Sequence, residues 1–179
     1  MNRICLIFIL FVLFFGSCQI SRKENIQKII QEWHGKEIFI PDDITFKSLG
    51  RDTASSYLWK KPYKIFTYID SIGCSSCNLN LSDWKKLIDL CRQQQIDVGF
   101  IFTVHSSDFE QFIDDLYFND FNYPIIYDYH NSFDKLNQFP PTPYRTFLLD
   151  KDNKVQLIGS PINNPQIWEL YKKVITQSQ

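Results

Sequence analysis

Between residues 63 and 91 the chain sets a strand, a break, two closely spaced cysteines and an amphipathic helix in immediate succession, and few folds accommodate that order. Tyr63-Lys64-Ile65-Phe66-Thr67-Tyr68-Ile69 is β-branched and aromatic, as buried strands are. Ser71-Ile72-Gly73 interrupts it and leads into Cys74-Ser75-Ser76-Cys77. Beyond the pair, Cys77, Leu81, Trp84, Ile88 and Cys91 recur at three- and four-residue intervals, which predicts a helix with one apolar face. Cys74 is therefore expected at the helix N-terminus. Unpaired N–H groups and the helix dipole favour an anion there, so its thiol is expected to be acidic and its thiolate the attacking species. Cys77, a turn further in, is expected to be shielded and to resolve a mixed disulfide.

Two other uses of a Cys-x-x-Cys pair compete with this one. Zinc would need a second such pair or two histidines at ligand spacing. The chain has only His34, His105 and His130, scattered and read as surface or loop residues, so no metal site is expected. A static bridge over two residues closes little chain and stabilises little. A redox-active dithiol fits the pair best.

At the N-terminus, Met1-Asn2-Arg3 precedes an apolar run from Ile4 to Phe15, followed by Gly16-Ser17-Cys18. The run is short for a membrane span, and its flanks match a cleaved secretory signal. A cysteine directly after the small pair makes the segment resemble a bacterial lipoprotein signal. That resemblance implies removal of residues 1–17 and a lipid on Cys18, which anchors the protein to the membrane. A retained signal anchor and a plain secreted form are the alternatives. All three put the domain outside the cytoplasm, where a dithiol can be held oxidised. Cys5 leaves with the signal, and Cys91 is read as a buried packing residue. The expected organisation is a signal over 1–17, a helical segment over 18–35 and one domain over 36–179. About 160 residues suffice for a single full-sized core. The 19 basic and 20 acidic residues nearly cancel without runs of either sign, so no nucleic acid partner is expected.

Along the chain, Ser21 to Trp33 predicts a short amphipathic helix and Lys36 to Ile40 a short strand, while 45–62 shows no period and is read mostly as loop. Val98 to Val104 is a near-continuous apolar run, the pattern of a strand buried on both faces and parallel to the one before it. Ser107 or Asp108 can cap the next helix, with Phe109, Phe112, Ile113, Leu116 and Tyr117 on its apolar side. A strand at 124–127, a short helix at 132–138 and the loop Phe139-Pro140-Pro141-Thr142-Pro143 follow. Two strands around Asp150-Lys151-Asp152-Asn153 predict a hairpin, and a final helix begins at Pro165.

This order, from Tyr63 to Gly159, resembles the envelope thioredoxin-like proteins of the TlpA kind. The motifs that carry the likeness are Gly73-Cys74-Ser75-Ser76-Cys77, Tyr123-Pro124-Ile125-Ile126-Tyr127-Asp128, and Thr146-Phe147-Leu148-Leu149-Asp150 followed by Asn153-Lys154-Val155. The resemblance implies an α/β thioredoxin-like fold, with a central mixed sheet and helices on both faces. It implies a thiol-disulfide oxidoreductase with Cys74 as nucleophile and Cys77 as resolving thiol. It also implies a substrate-binding Thr-Pro pair with a cis bond, assigned to Thr142 and Pro143, with Pro141 in reserve because the spacing to Phe147 is one residue longer than usual. Gly73 stands where the family has Trp, and Tyr68 stands at its polar or acidic position.

The function expected is exchange of electrons with protein dithiols and disulfides at the cell envelope, with a membrane electron donor or acceptor as second partner. No cofactor is needed, because the two sulfurs carry the electrons. The alternative is a non-catalytic thioredoxin-like binding or assembly lipoprotein. A peroxidase is a third reading, with Ser71 three residues before Cys74 but Thr67 in place of the expected proline.

Overall fold

The structure, a computed structural model, describes residues 23–42, 44–70, 80–141 and 143–177. The chain divides between His34 and Gly35 into two units. Of the first, a helix over 23–33 is described (α1), close to the predicted span.

The second unit is built on a seven-stranded sheet, among the described residues, in the order β2-β1-β5-β4-β3-β6-β7. The strands are β1 Phe46–Ser48, β2 Arg51–Asp52, β3 Tyr63–Asp70, β4 Val98–His105, β5 Ile125–Tyr127, β6 Thr146–Leu149 and β7 Val155–Ile158. The helices are α2 Leu81–Gln93, α3 Phe109–Phe118, α4 Ser132–Asn137 and α5 Pro165–Gln177. β3, β4 and β5 run parallel, and every other pairing is antiparallel, so the sheet is mixed as expected.

Alternation along the strands sorts side chains onto two faces. On one, Ile65, Phe100, Phe102, Val104 and Leu148 pack with Trp84 and Cys91 of α2, Phe112 and Leu116 of α3 and Tyr171 of α5. On the other, Phe66 meets Phe133 of α4, Phe139 and Phe147 at ring separations of 5.8, 5.6 and 6.3 Å. Helices thus cover both faces, and β4 is buried along nearly its whole length.

Local chemistry accounts for most boundaries. Asp108 caps α3 by accepting a hydrogen bond from Gln111 N at 2.9 Å. In the β6–β7 hairpin, Asp150 Oδ1 accepts from the Asp152 and Lys154 N–H groups at 2.9 and 3.0 Å. Gly99 lets a short 3₁₀ turn at Ser56–Lys60 lie against β4, where a Cβ would come within 2.9 Å of Leu58 O.

Three expectations need correction. Lys36 to Ile40 forms no regular strand, only an isolated antiparallel bridge between Glu37 and Lys154 at the end of the β6–β7 hairpin. Residues 45–62 are not mostly loop. They hold β1, β2 and the 3₁₀ turn, and the β1–β2 connection is a two-residue turn with Leu49 and Gly50 both at positive φ, 48° and 76°. Finally, α2 does not extend back without interruption from Leu81, because Asn80 takes the left-handed conformation (φ 43°, ψ 39°) and cannot continue a right-handed helix.

Candidate active site

The centre of the sheet opens at one end of β3. Pairing of β3 with β6 runs from Lys64↔Leu149 to Thr67↔Thr146, whereas pairing with β4 continues to Asp70↔His105. The last β3–β6 rung is fastened by side chains, since the Thr67 and Thr146 hydroxyls lie 2.8 Å apart and buried. One further backbone bond, Tyr68 N to Arg145 O at 2.9 Å, precedes the point where the chain before β6 turns away from β3.

That divergence leaves a groove of about 230 Å³. Tyr68 and Asp70 line it from β3, Pro143 and Arg145 from the opposite strand's approach, Asn80 and Trp84 from the start of α2, and Ser160 from beyond β7. Asp70 and Asn80 are the last and first described residues on either side of Cys74 and Cys77, which themselves lie outside the described residues. Thr142 and Cys18 lie outside them as well. Pro143 lines the groove, whereas Pro141 is exposed away from it and closes a turn, its carbonyl accepting from Tyr144 N at 3.0 Å.

Arg145 is the charged groove residue that the sequence reading did not single out. Its side chain is 18% exposed and held on three sides. Nε donates to Pro140 O at 2.8 Å, the guanidinium lies 3.7 Å from Asp70 Oδ2, and its carbon lies 5.6 Å from the centre of the Tyr68 ring. The ring of Tyr68 stacks on Phe139 at 4.8 Å, and its hydroxyl donates to Asn131 Oδ1. Burial, with Asp128, Asp134 and Asp70 nearby, pushes the Tyr68 phenol far above its ordinary value, against the pull of Arg145. Tyr68 is therefore a neutral hydrogen-bond donor in the wall of the groove.

The histidines take structural roles or none assigned: His105 Nδ1–H donates to Asp128 O at 2.8 Å, and His130 is exposed. Among the described residues no group of three or more His, Cys, Asp or Glu is placed to hold a metal ion, and no helix is long and apolar enough to cross a membrane. Cys91 is buried in the α2 face of the core, where burial pushes its thiol up to about 12.

No protein-family model matches the chain, and no curated protein matches it in sequence. Solved structures do match. The thioredoxin domain of a thiol-disulfide oxidoreductase from Bacteroides vulgatus is 12% identical, with a TM-score of 0.54 over 77% of this chain and 97% of that one. A candidate thiol:disulfide interchange protein DsbE from Chlorobium tepidum is 15% identical, with a TM-score of 0.56 over 79% and 96%. A domain of a candidate thiol-disulfide isomerase from Cytophaga hutchinsonii is 14% identical, with a TM-score of 0.55 over 82% and 97%. At these identities the likeness is one of fold, and the fold is thioredoxin-like.

Proposed function

We propose that this chain is a membrane-anchored thiol-disulfide oxidoreductase of the cell envelope, acting on protein dithiols and disulfides through Cys74 and Cys77. The observation that carries the reading is the groove at the end of β3. It gathers the residues on both sides of the Cys-x-x-Cys segment, Asp70 and Asn80, against Pro143, which a thioredoxin-like site would use to receive a substrate strand. Pro143 is the third residue of the turn closed by Tyr144 N and Pro141 O, the place in a four-residue turn at which a cis X-Pro bond is accommodated.

In the reducing direction the Cys74 thiolate attacks one sulfur of a substrate disulfide, forming a mixed disulfide and releasing the other sulfur as a thiolate that takes up a proton. The Cys77 thiolate then attacks the Cys74 sulfur, which releases the second substrate sulfur and leaves a Cys74–Cys77 disulfide. Two electrons pass to the substrate, and a membrane dithiol donor restores the pair. Oxidation runs the same steps backwards with a membrane acceptor. Removal of residues 1–17 and lipid attachment at Cys18 would tether the domain on the extracytoplasmic side.

The detergent-solubilised full chain should accelerate thiol-driven reduction of a protein disulfide, and Cys74→Ser should abolish the acceleration. A wild-type rate equal to the mutant's would refute turnover and favour a binding module built on the same scaffold. Mass spectrometry of the membrane-extracted protein should find a diacylated or triacylated N-terminus at Cys18; an intact Met1 would remove the anchor from the proposal.

A further inference from the structure

The chain as a whole carries 19 basic and 20 acidic residues, yet α3 holds Glu110, Asp114 and Asp115 and no Lys, Arg or His. Its buried side is Phe112 and Leu116, and its outer side, at the spacing of a single stripe, is Glu110, Asp114, Tyr117 and Phe118, all exposed. Tyr117 is 54% exposed and Phe118 91%. The stripe runs about 12 Å along the helix. Among the described residues neither Glu110 nor Asp114 forms an ion pair. The acids around them have other tasks: Asp108 caps the helix, Asp115 Oδ1 accepts from Gln111 Nε2 at 3.3 Å, and Asp120 pairs with Lys85.

Stability of the helix does not account for this face. Glu110 and Asp114 stand four residues apart, where like charges repel, and the last turn lacks the basic residue that the helix dipole favours there. A ring as open as that of Phe118 adds little to the core. We infer that the outer face of α3 docks a protein partner through a segment that carries Lys or Arg around an apolar side chain. The carboxylates of Glu110 and Asp114 meet the cations, and Tyr117 and Phe118 cover the apolar group. Charge selects this occupant, because an anionic lipid leaflet, or the acidic α3 of a second copy, would meet repulsion. Arg51 follows the Gly50 that lies against Ile113 and bounds the face on the side of the β1–β2 turn. None of these residues lines the groove, so the docking face is separate from the proposed redox site and does not draw on the dithiol reading.

The probe is a short fluorescein-labelled peptide of lysines around one tryptophan, titrated by anisotropy against the full chain held in neutral phosphatidylcholine nanodiscs, with empty discs as the blank. Binding should saturate, weaken steadily as salt is raised from about 0.05 to about 0.5 M, and fail for the same peptide with Glu in place of Lys. Phe118→Ser should weaken it about fivefold or more, and Glu110→Gln combined with Asp114→Asn should weaken it by at least as much and flatten the salt dependence. All three positions are exposed, so the variants should keep the wild-type urea midpoint. Glu169→Gln, which removes an exposed carboxylate from α5, should bind as wild type does. Equal affinity in wild type and the α3 variants would overturn the inference, as would equal binding of the Glu peptide. So would self-association of the wild-type chain in detergent that Phe118→Ser abolishes, which would give the face to a second copy. Binding to phosphatidylglycerol vesicles that the same change abolishes would give it to the membrane and overturn the inference too.

Discussion

Phe139 joins the core to the loop that carries Pro143, and its truncation should separate stability from function. The ring is 8% exposed and lies 4.8 Å from Tyr68, 5.6 Å from Phe66 and 5.9 Å from Phe147. A buried Phe→Ala change costs about 3–5 kcal/mol, and the position of Phe139 at the margin of the ring cluster argues for about 3 kcal/mol. With a urea m-value of about 2 kcal/mol/M for a domain of this size, the unfolding midpoint should fall by about 1.5 M. Phe112→Ala is the control. It empties a fully buried site on the opposite face, against Tyr127 and Phe109, and should cost about 4 kcal/mol. Both variants are then assayed for disulfide reduction at a temperature where circular dichroism shows each to be folded. Phe139→Ala should lose several-fold in rate, because Pro140 and Arg145 are seated by the same loop, while Phe112→Ala should match wild type. Equal rates in the two variants, or a cost below about 1 kcal/mol for Phe139→Ala, would refute the link between this ring and the groove.

The buried pair Thr67 and Thr146 offers a second test: Thr67→Val strands one hydroxyl and should cost about 1–2 kcal/mol, while adding Thr146→Val should recover much of the loss, so a double-mutant cycle showing strict additivity counts against the bond. Cys91 gives a pH test. Its ordinary value of 9.0 is raised to about 12 by burial, so between those values the folded chain keeps a proton that the unfolded chain loses, and stability falls as pH climbs through that window. Cys91→Ala should flatten the slope above pH 9 in urea titrations, and native Cys91 should resist alkylation at pH 8.5; rapid labelling there would contradict its burial.

The parts of the fold that were legible in the sequence are those in which a local chemical signal and a long pattern agree. Val98 to Val104 announces β4 because burial on both faces removes every polar interruption, and Asp150 announces its hairpin because its carboxylate binds two nearby N–H groups. β1 and β2 were silent for the opposite reason: strands of two and three residues have no period, and their turn uses Leu49 at positive φ where Asn, Asp or Gly would signal it. The late start of α2 was hidden because apolar spacing carries no information about a backbone reversal at a polar position such as Asn80. In the candidate site, Pro143 could be singled out from a motif. Arg145 could not, because its place in the groove depends on β3–β6 pairing between residues 79 apart, which no local window contains.

That separation also orders events in time. A chain synthesised from its N-terminus presents Cys74 and Cys77 long before Thr146 emerges to pair with Thr67 and before Arg145 can join the groove. Contacts so distant in sequence form late in folding. An immature chain would therefore carry its Cys-x-x-Cys pair before the far wall of the groove is in place. The groove would be complete only when the far strand docks, so completion of the fold and acquisition of the site would be one step.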